Sequence, residues 1–164
     1  MLLTLVKWLF IALAGAALAL LLAGQLGLLR GTPPDDLGVR EGKLKRPSLT
    51  PNSVSSQADA WPEHPQQDYA RAAPLALRGD GPATIARLAA LCQAMPGATI
   101  VTQKPDYLYV QFQTQWLKFV DDAEFWYDPV AGLVQVRSAS RVGRKDFGVN
   151  RERLESIRSR LNAA

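Results

Sequence analysis

From Trp8 to Leu29 the chain is apolar at almost every position, with Gln25 the only strongly polar residue, and no other feature restricts its fold so severely. A bilayer's hydrocarbon core needs about 20 such residues, each rising about 1.5 Å, so a helix over this stretch is long enough to span it. A cleaved signal peptide is the alternative. Lys7 would supply its charged start, and Ala14-Gly15-Ala16 or Ala17-Leu18-Ala19 its small-residue cleavage site. Apolar character nevertheless runs on through Leu20, Leu21, Leu22, Leu26, Leu28 and Leu29, beyond the roughly 7 to 15 residues of a signal-peptide core. Residues 1–30 are therefore expected to be an uncleaved transmembrane anchor, with Trp8 at headgroup level.

Two signals oppose each other on orientation. Lys7 and the short amino-terminal tail favour export of the downstream chain, whereas Arg30, Arg40, Lys43, Lys45 and Arg46 crowd the other side of the span. Long downstream domains translocate largely regardless of charge, so the soluble part is expected to be periplasmic or otherwise extracytoplasmic.

Gly31-Thr32-Pro33-Pro34-Asp35-Asp36 cannot continue a helix, because prolines lack the backbone donor and force their neighbours to extend. Residues 31–79 hold most of the chain's 11 prolines and show neither a helical nor an alternating apolar period. They read as a proline-rich linker, draped on the domain from Leu49 to Trp61, where Val54 and Trp61 have reason to dock on a core.

Residues 80–164 carry the regular patterns. Asp80-Gly81-Pro82 opens a helix with Ile85, Leu88, Ala89, Leu91, Cys92 and Met95 at helical spacing, and Pro96-Gly97 stops it. Ala98 to Gln103 reads as a strand. Tyr107 to Thr114 alternates Leu108, Val110 and Phe112 against Tyr107, Tyr109, Gln111 and Gln113. Leu117 to Tyr127 and Leu133 to Ser138 are two further strands around the turn Asp128–Gly132. A last helix is expected to start at Asn150 as N-cap, with Val149 stapled to Leu154, and to bury Leu154, Ile157 and Leu161. Short turns imply antiparallel neighbours, so the fold class is α+β: a small antiparallel meander sheet of about four strands with two flanking helices.

Net charge is +4 over 164 residues, a mild excess far short of a nucleic-acid binder's. The bias is local: Arg137 to the C-terminus has eight Lys or Arg against three Asp or Glu. The single cysteine, Cys92, excludes an intrachain disulfide and reads as a small core residue. The single histidine, His64, lies in a proline-rich stretch, so neither a triad nor a zinc spacing can be assembled, and no cofactor or metal is expected.

Three segments concentrate the unusual polar residues: Asn52-Ser53-Val54-Ser55-Ser56-Gln57, then Phe119-Val120-Asp121-Asp122-Ala123-Glu124-Phe125, then Arg137-Ser138-Ala139-Ser140-Arg141 running into Gly143, Asp146, Gly148 and Asn150-Arg151. Together they resemble the bacterial and plastid family catalogued as domain of unknown function 1499, over about Leu44 to Leu161. The resemblance implies a fold and an exported or membrane-tethered setting, and it carries no activity. The family pattern places cysteines where this chain has Arg46 and Ser53, so a disulfide or metal role for that pair is absent.

On their own chemistry, Asp122 and Glu124 share one strand face and Asp121 lies on the other, while Arg137 and Arg141 share a face opposite Ser138 and Ser140. The arginine pair suits a carboxylate or phosphate. The candidate ligand-binding residues are thus Asp121, Asp122, Glu124, Arg137, Ser138, Ser140, Arg141, Asp146, Asn150 and Arg151, and a structural lattice of salt bridges among them is the competing reading. Two functions are expected on this basis. One is a membrane-tethered envelope module, non-enzymatic, that binds an anionic lipid headgroup, peptide or envelope protein. The other is a hydrolase or transferase using Asp122 and Glu124, with Arg137 and Arg141 as an anion clamp.

Overall fold

Alternation along β3 (Tyr107–Gln113) is realised as the spacing predicts: Leu108, Val110 and Phe112 are buried, and the residues between them are half-buried. The computed structural model describes residues 1–163. β2 (Ala98–Gln103), β3, β4 (Val120–Asp128) and β5 (Leu133–Ser140) form an antiparallel meander, each strand pairing with the next. Gly97 makes the turn into β2 at φ 73°, against the Gln113 backbone, where a Cβ would lie 2.1 Å from the Gln113 carbonyl oxygen.

The sheet has a fifth strand, so the count of four was one short. β1 (Ser53–Ser55) pairs antiparallel with β5, giving the order β1-β5-β4-β3-β2. It comes from the stretch read as linker, and three residues are too few to display a period of two. Val54 at its centre is fully buried. Between β1 and the next long helix lie a single 3₁₀ turn, Ala58–Ala60, and the short α2 (Gln67–Ala70).

Two helices cover one face of this α+β domain. α3 (Gly81–Gln93) opens where expected, its start capped by the Asp80 carboxylate, which accepts from Ala83 N at 2.7 Å, and it buries Ile85, Leu88 and Cys92. Burial pushes the Cys92 thiol up to about 12, which leaves it an inert apolar filler at ordinary pH. α4 (Val149–Ala163) buries Leu154, Ile157 and Leu161 against the same core. Its start corrects the sequence reading: Asn150 lies inside the first turn, and Asp146 does the capping, accepting from Gly148 N at 3.1 Å and Asn150 N at 3.2 Å. Val149, expected to staple onto Leu154, is exposed.

α1 (Leu2–Gln25) is long and apolar enough to cross a membrane. At about 1.5 Å per residue it measures about 36 Å. Every residue through Leu22 is exposed, and the helix touches the domain at its C-terminal end only. There Gly24 lies against the Leu117 backbone, where a Cβ would come within 2.7 Å of the carbonyl oxygen, and Gln25 Nε2 donates to Trp116 O at 3.0 Å. The chain then passes Gly31, packed on Arg141 and Val142, and crosses the sheet face that the helices leave open. Leu44 is buried beneath it, with its N–H donating to Gln57 Oε1 at 2.8 Å.

Candidate functional site

Strand parity divides the candidate residues into two groups on opposite faces of the sheet. β4 and β5 pair Asp121 with Ser140, Ala123 with Ser138 and Glu124 with Arg137. Asp121, Ser138 and Ser140 accordingly share the helix-covered face with Phe125 and Val136, and Asp122, Glu124, Arg137 and Arg141 share the face crossed by the N-terminal segment.

On the helix side the polar residues form a network around Asn150, which is fully buried, with Asn52 Oδ1 the network's one buried side-chain atom lacking a partner among the described residues. Ser138 Oγ donates to Asn150 Oδ1 at 2.5 Å, and Asn150 Nδ2 donates to Asn52 O, Ser140 Oγ and Asp146 Oδ2. Arg153 closes the group, reaching Asp121 at 2.6 Å and Asn150 at 2.9 Å while its guanidinium stacks 4.6 Å from the Phe112 ring centroid. This is a structural clasp holding the start of α4 to β5 and β1. Asp146 joins it through Tyr69 and Asn150 rather than through an arginine, and Arg151, expected to pair with a carboxylate, instead donates to the Arg71 and Tyr69 carbonyls.

The clasp has a pH signature. Burial alone would raise the Asp146 pKa, but the bonds from Tyr69, Asn150 and the backbone outweigh it and hold the carboxyl below its ordinary 3.8. Tyr69 moves the other way, pushed up to about 12 by burial and then by Asp146. A depressed carboxyl stabilises the fold above its unfolded pKa, and that contribution disappears as pH falls through the folded value. Between about pH 6 and about pH 3 the unfolding midpoint should therefore drop more for the natural chain than for Asp146→Asn. Equal slopes for the two would show that Asp146 contributes nothing to acid sensitivity.

The other face holds a second arrangement. Glu124 is 0 % exposed, and its Oε1 accepts from Tyr107 Oη at 2.8 Å and from Gly38 N at 2.7 Å. Asp122 takes Arg141 through two bonds, 2.8 and 2.7 Å, and a third from Tyr109 Oη at 2.5 Å. Tyr107 and Tyr109 are both pushed up, by burial first and by these carboxylates second. Arg137 is different. It is 3 % exposed, and among the described residues its side chain's one bond is a long 3.5 Å contact from Nη1 to Glu124 Oε2, while its buried Nε has no partner. A guanidinium carries five N–H donors. Burial lowers the Arg137 pKa against the opposing pull of Glu124, Asp122 and Asp36, as expected for a cation short of negative charge.

Arg137 lines a cleft of about 460 Å³ between the sheet face and the N-terminal segment, shared with Arg141, Asp122, Lys45, Arg46 and Ser48 and walled by Thr32, Pro33 and Pro34. Lys45 is committed to Asp36 at 2.5 Å, which holds that carboxyl below its ordinary value. Arg46 is exposed and has no carboxylate partner among the described residues. Four cations and one carboxylate around such a cleft can receive an oxyanion through bidentate guanidinium contacts. Acid–base work fits it poorly, since Glu124 is sealed away from the cleft and Asp122 is gripped on both oxygens.

The sequence reading missed Arg153, Asn52, Tyr69 and Gly38 as members of these networks. Asn52 stood in one of the three conspicuous segments, and Arg153 lies three residues beyond Asn150, on the same helix face. Gly38 offered no signal at all. Where the family pattern places cysteines, Arg46 faces the cleft and Ser53 Oγ accepts from Ser48 N at 2.7 Å.

Fold and site together define a small antiparallel α+β domain whose charged sheet face is sheltered by its own N-terminal segment. The chain belongs to the family described as "Protein of unknown function (DUF1499)", whose family model matches residues 43–161. The match takes in β1, the clasp and the Lys45 and Arg46 side of the cleft, while α1 and the Thr32–Pro34 wall precede it. No curated protein and no solved structure matches the chain.

Proposed function

We propose that this chain is a single-span membrane-tethered envelope module whose extracytoplasmic domain binds an anionic partner through an oxyanion, phosphate or carboxylate, seated in the Arg137 cleft. The observation that carries the reading is Arg137 itself: a buried guanidinium with an unpartnered Nε and one long ion pair, lining a cleft that also presents Arg46 and Arg141. Burying a charge is costly unless it is paired, and an incoming anion would complete the pairing that Glu124 supplies only at 3.5 Å. Support for the tether is α1, and support for export is Lys7 beside the N-terminal end of its apolar run. The hydrolase or transferase alternative would need Glu124 to meet substrate, and its burial and full set of partners favour binding instead.

The test uses the full chain in detergent micelles, titrated calorimetrically with inorganic phosphate, glycerol phosphate, acetate and short-chain anionic or zwitterionic phospholipid. Binding that weakens steeply with added salt, and that falls at least about tenfold in Arg46→Gln with an unchanged melting temperature, is the expected result. A loss confined to the phospholipid would identify a headgroup, and a loss shared with glycerol phosphate a soluble phosphoester. No binding of any oxyanion at low salt would overturn the reading. Alkaline phosphatase fused after Ala164 should be active if the domain is exported.

A further inference from the structure

The exit of α1 meets the domain at one end of the sheet, and that end is unlike the rest of the surface. Gly24 and Gln25 touch Leu117 and Trp116 in the turn between β3 and β4, and Gly31 touches Arg141 and Val142 in the segment between β5 and α4. The two connections adjoin: Arg141 N donates to Val120 O at 3.1 Å, and Val149 lines a groove with Gln113 and Thr114. Around this exit Leu26, Leu28, Trp116, Val142, Phe147 and Val149 are all exposed. Trp116 is 67 % exposed and Phe147 is 90 % exposed. Phe147 also adopts φ 54°, a left-handed backbone that a bulky residue rarely takes, and in it the ring points away from the domain. Arg30, Lys118, Arg144 and Lys145 lie on the same three stretches of chain as these apolar residues.

The geometry points to a bilayer-seating surface: the Trp116 turn and the Phe147 loop dip into the interface of the same leaflet from which α1 emerges, with the surrounding cations on anionic lipid phosphates. Apolar and aromatic side chains beside Lys and Arg are the composition of a membrane-interface belt. The occupant is fixed by continuity, because a helix that crosses a membrane delivers its last turn, and whatever is packed on that turn, to the lipid surface. Clustered cations near such a surface are attracted to anionic lipid within a Debye length. The inference rests on α1 spanning a bilayer, and it is independent of any ligand in the Arg137 cleft. Seating end-on would stand the sheet away from the membrane, with the hairpin between β4 and β5 at the far end. β4 has nine residues at about 3.4 Å each, which places Val130 about 30 Å from the seated end.

The experiment places one environment-sensitive fluorophore at a time on Leu13→Cys, Phe147→Cys or Val130→Cys in a Cys92→Ala background of the full chain, reconstituted in vesicles of mixed anionic and zwitterionic phospholipid. Brominated acyl chains should quench the labels at Leu13 and Phe147, and leave the label at Val130 open to aqueous iodide. Phe147→Asp, a change at an exposed side chain, should abolish bromolipid quenching of a label at Trp116→Cys. A quenched Leu13 label with an unquenched Phe147 label overturns the seating surface while leaving the span intact. Loss of quenching at Leu13 as well overturns both the span and the seating. Quenching at Val130 overturns the end-on orientation.

Discussion

Arg141→Ala is expected to lower the unfolding midpoint of the full chain in detergent by about 10–20 °C, the largest shift for any single change on the cleft face. The reason is the charge left behind. Asp122 loses both charge-assisted bonds, at 2.7 and 2.8 Å, and stays buried with Tyr109 as its one remaining side-chain partner. Breaking a buried ion pair from one side costs about 3–5 kcal/mol, most of it the uncompensated charge. Replacing both members, Arg141→Leu with Asp122→Leu, should recover most of the loss, because a well-packed apolar pair carries no desolvation penalty. Arg71→Ala is the control. Its two partners, Asp59 and Asp68, are largely exposed, and solvent screening leaves such pairs little to contribute. A midpoint for Arg141→Ala within about 2 °C of the natural chain would show that water already reaches Asp122.

Asn150→Ala should cost about 2–4 kcal/mol in denaturant unfolding, well beyond the roughly 1 kcal/mol of a lost helix cap. As a cap, Asn150 would bond one backbone N–H. As the buried hub of the clasp it joins Ser138, Ser140, Asn52, Asp146 and Arg153, and truncation removes its side-chain bonds to all of them at once, leaving the Ser138 hydroxyl without its acceptor and Ser140 Oγ without its donor. Ser159→Ala, at an exposed position on the same helix, should change nothing. Combining Asn150→Ala with Ser138→Ala should fall short of the sum by more than about 0.5 kcal/mol, since the two share one bond. Strict additivity, or a loss near 1 kcal/mol, would return Asn150 to the role of a simple terminal residue.

The difference between those two readings of Asn150 shows where sequence reasoning stops. The pattern around it is a sound helix-start signal, and α4 does begin there, one residue early. Pattern alone does not say which neighbour takes the capping bonds, and Asp146 is placed for that by the turn through Gly143 and Gly148, whose φ values of 94° and 89° are ones glycine adopts without strain. The strands behaved similarly. Period-two alternation marked β3 and placed Asp122 with Glu124 and Arg137 with Arg141 on common faces. Pairing Glu124 opposite Arg137, and leaving that arginine with an unfilled donor, required the β4–β5 register.

Local order is what the amino-acid sequence determined by itself. An apolar run long enough for a bilayer, a capped helix at Asp80 and an alternating strand are each written in side chains a few residues apart, so their patterns stand in the sequence without the rest of the fold. The tertiary structure alone decided the contacts that make the sites: Arg153 with Asp121 at a separation of 32 residues, and Gly38 with Glu124 at 86. It also recruited Ser53–Ser55 as a fifth strand, because three residues hold no periodicity of their own and pair only once β5 offers an open edge. Side chains on a strand alternate faces, so a shift of one residue in register would exchange the clasp with the cleft. That register is set by burying Leu108, Val110, Phe125 and Val136 together under α3 and α4, a condition spread over the whole domain that no single stretch of sequence contains.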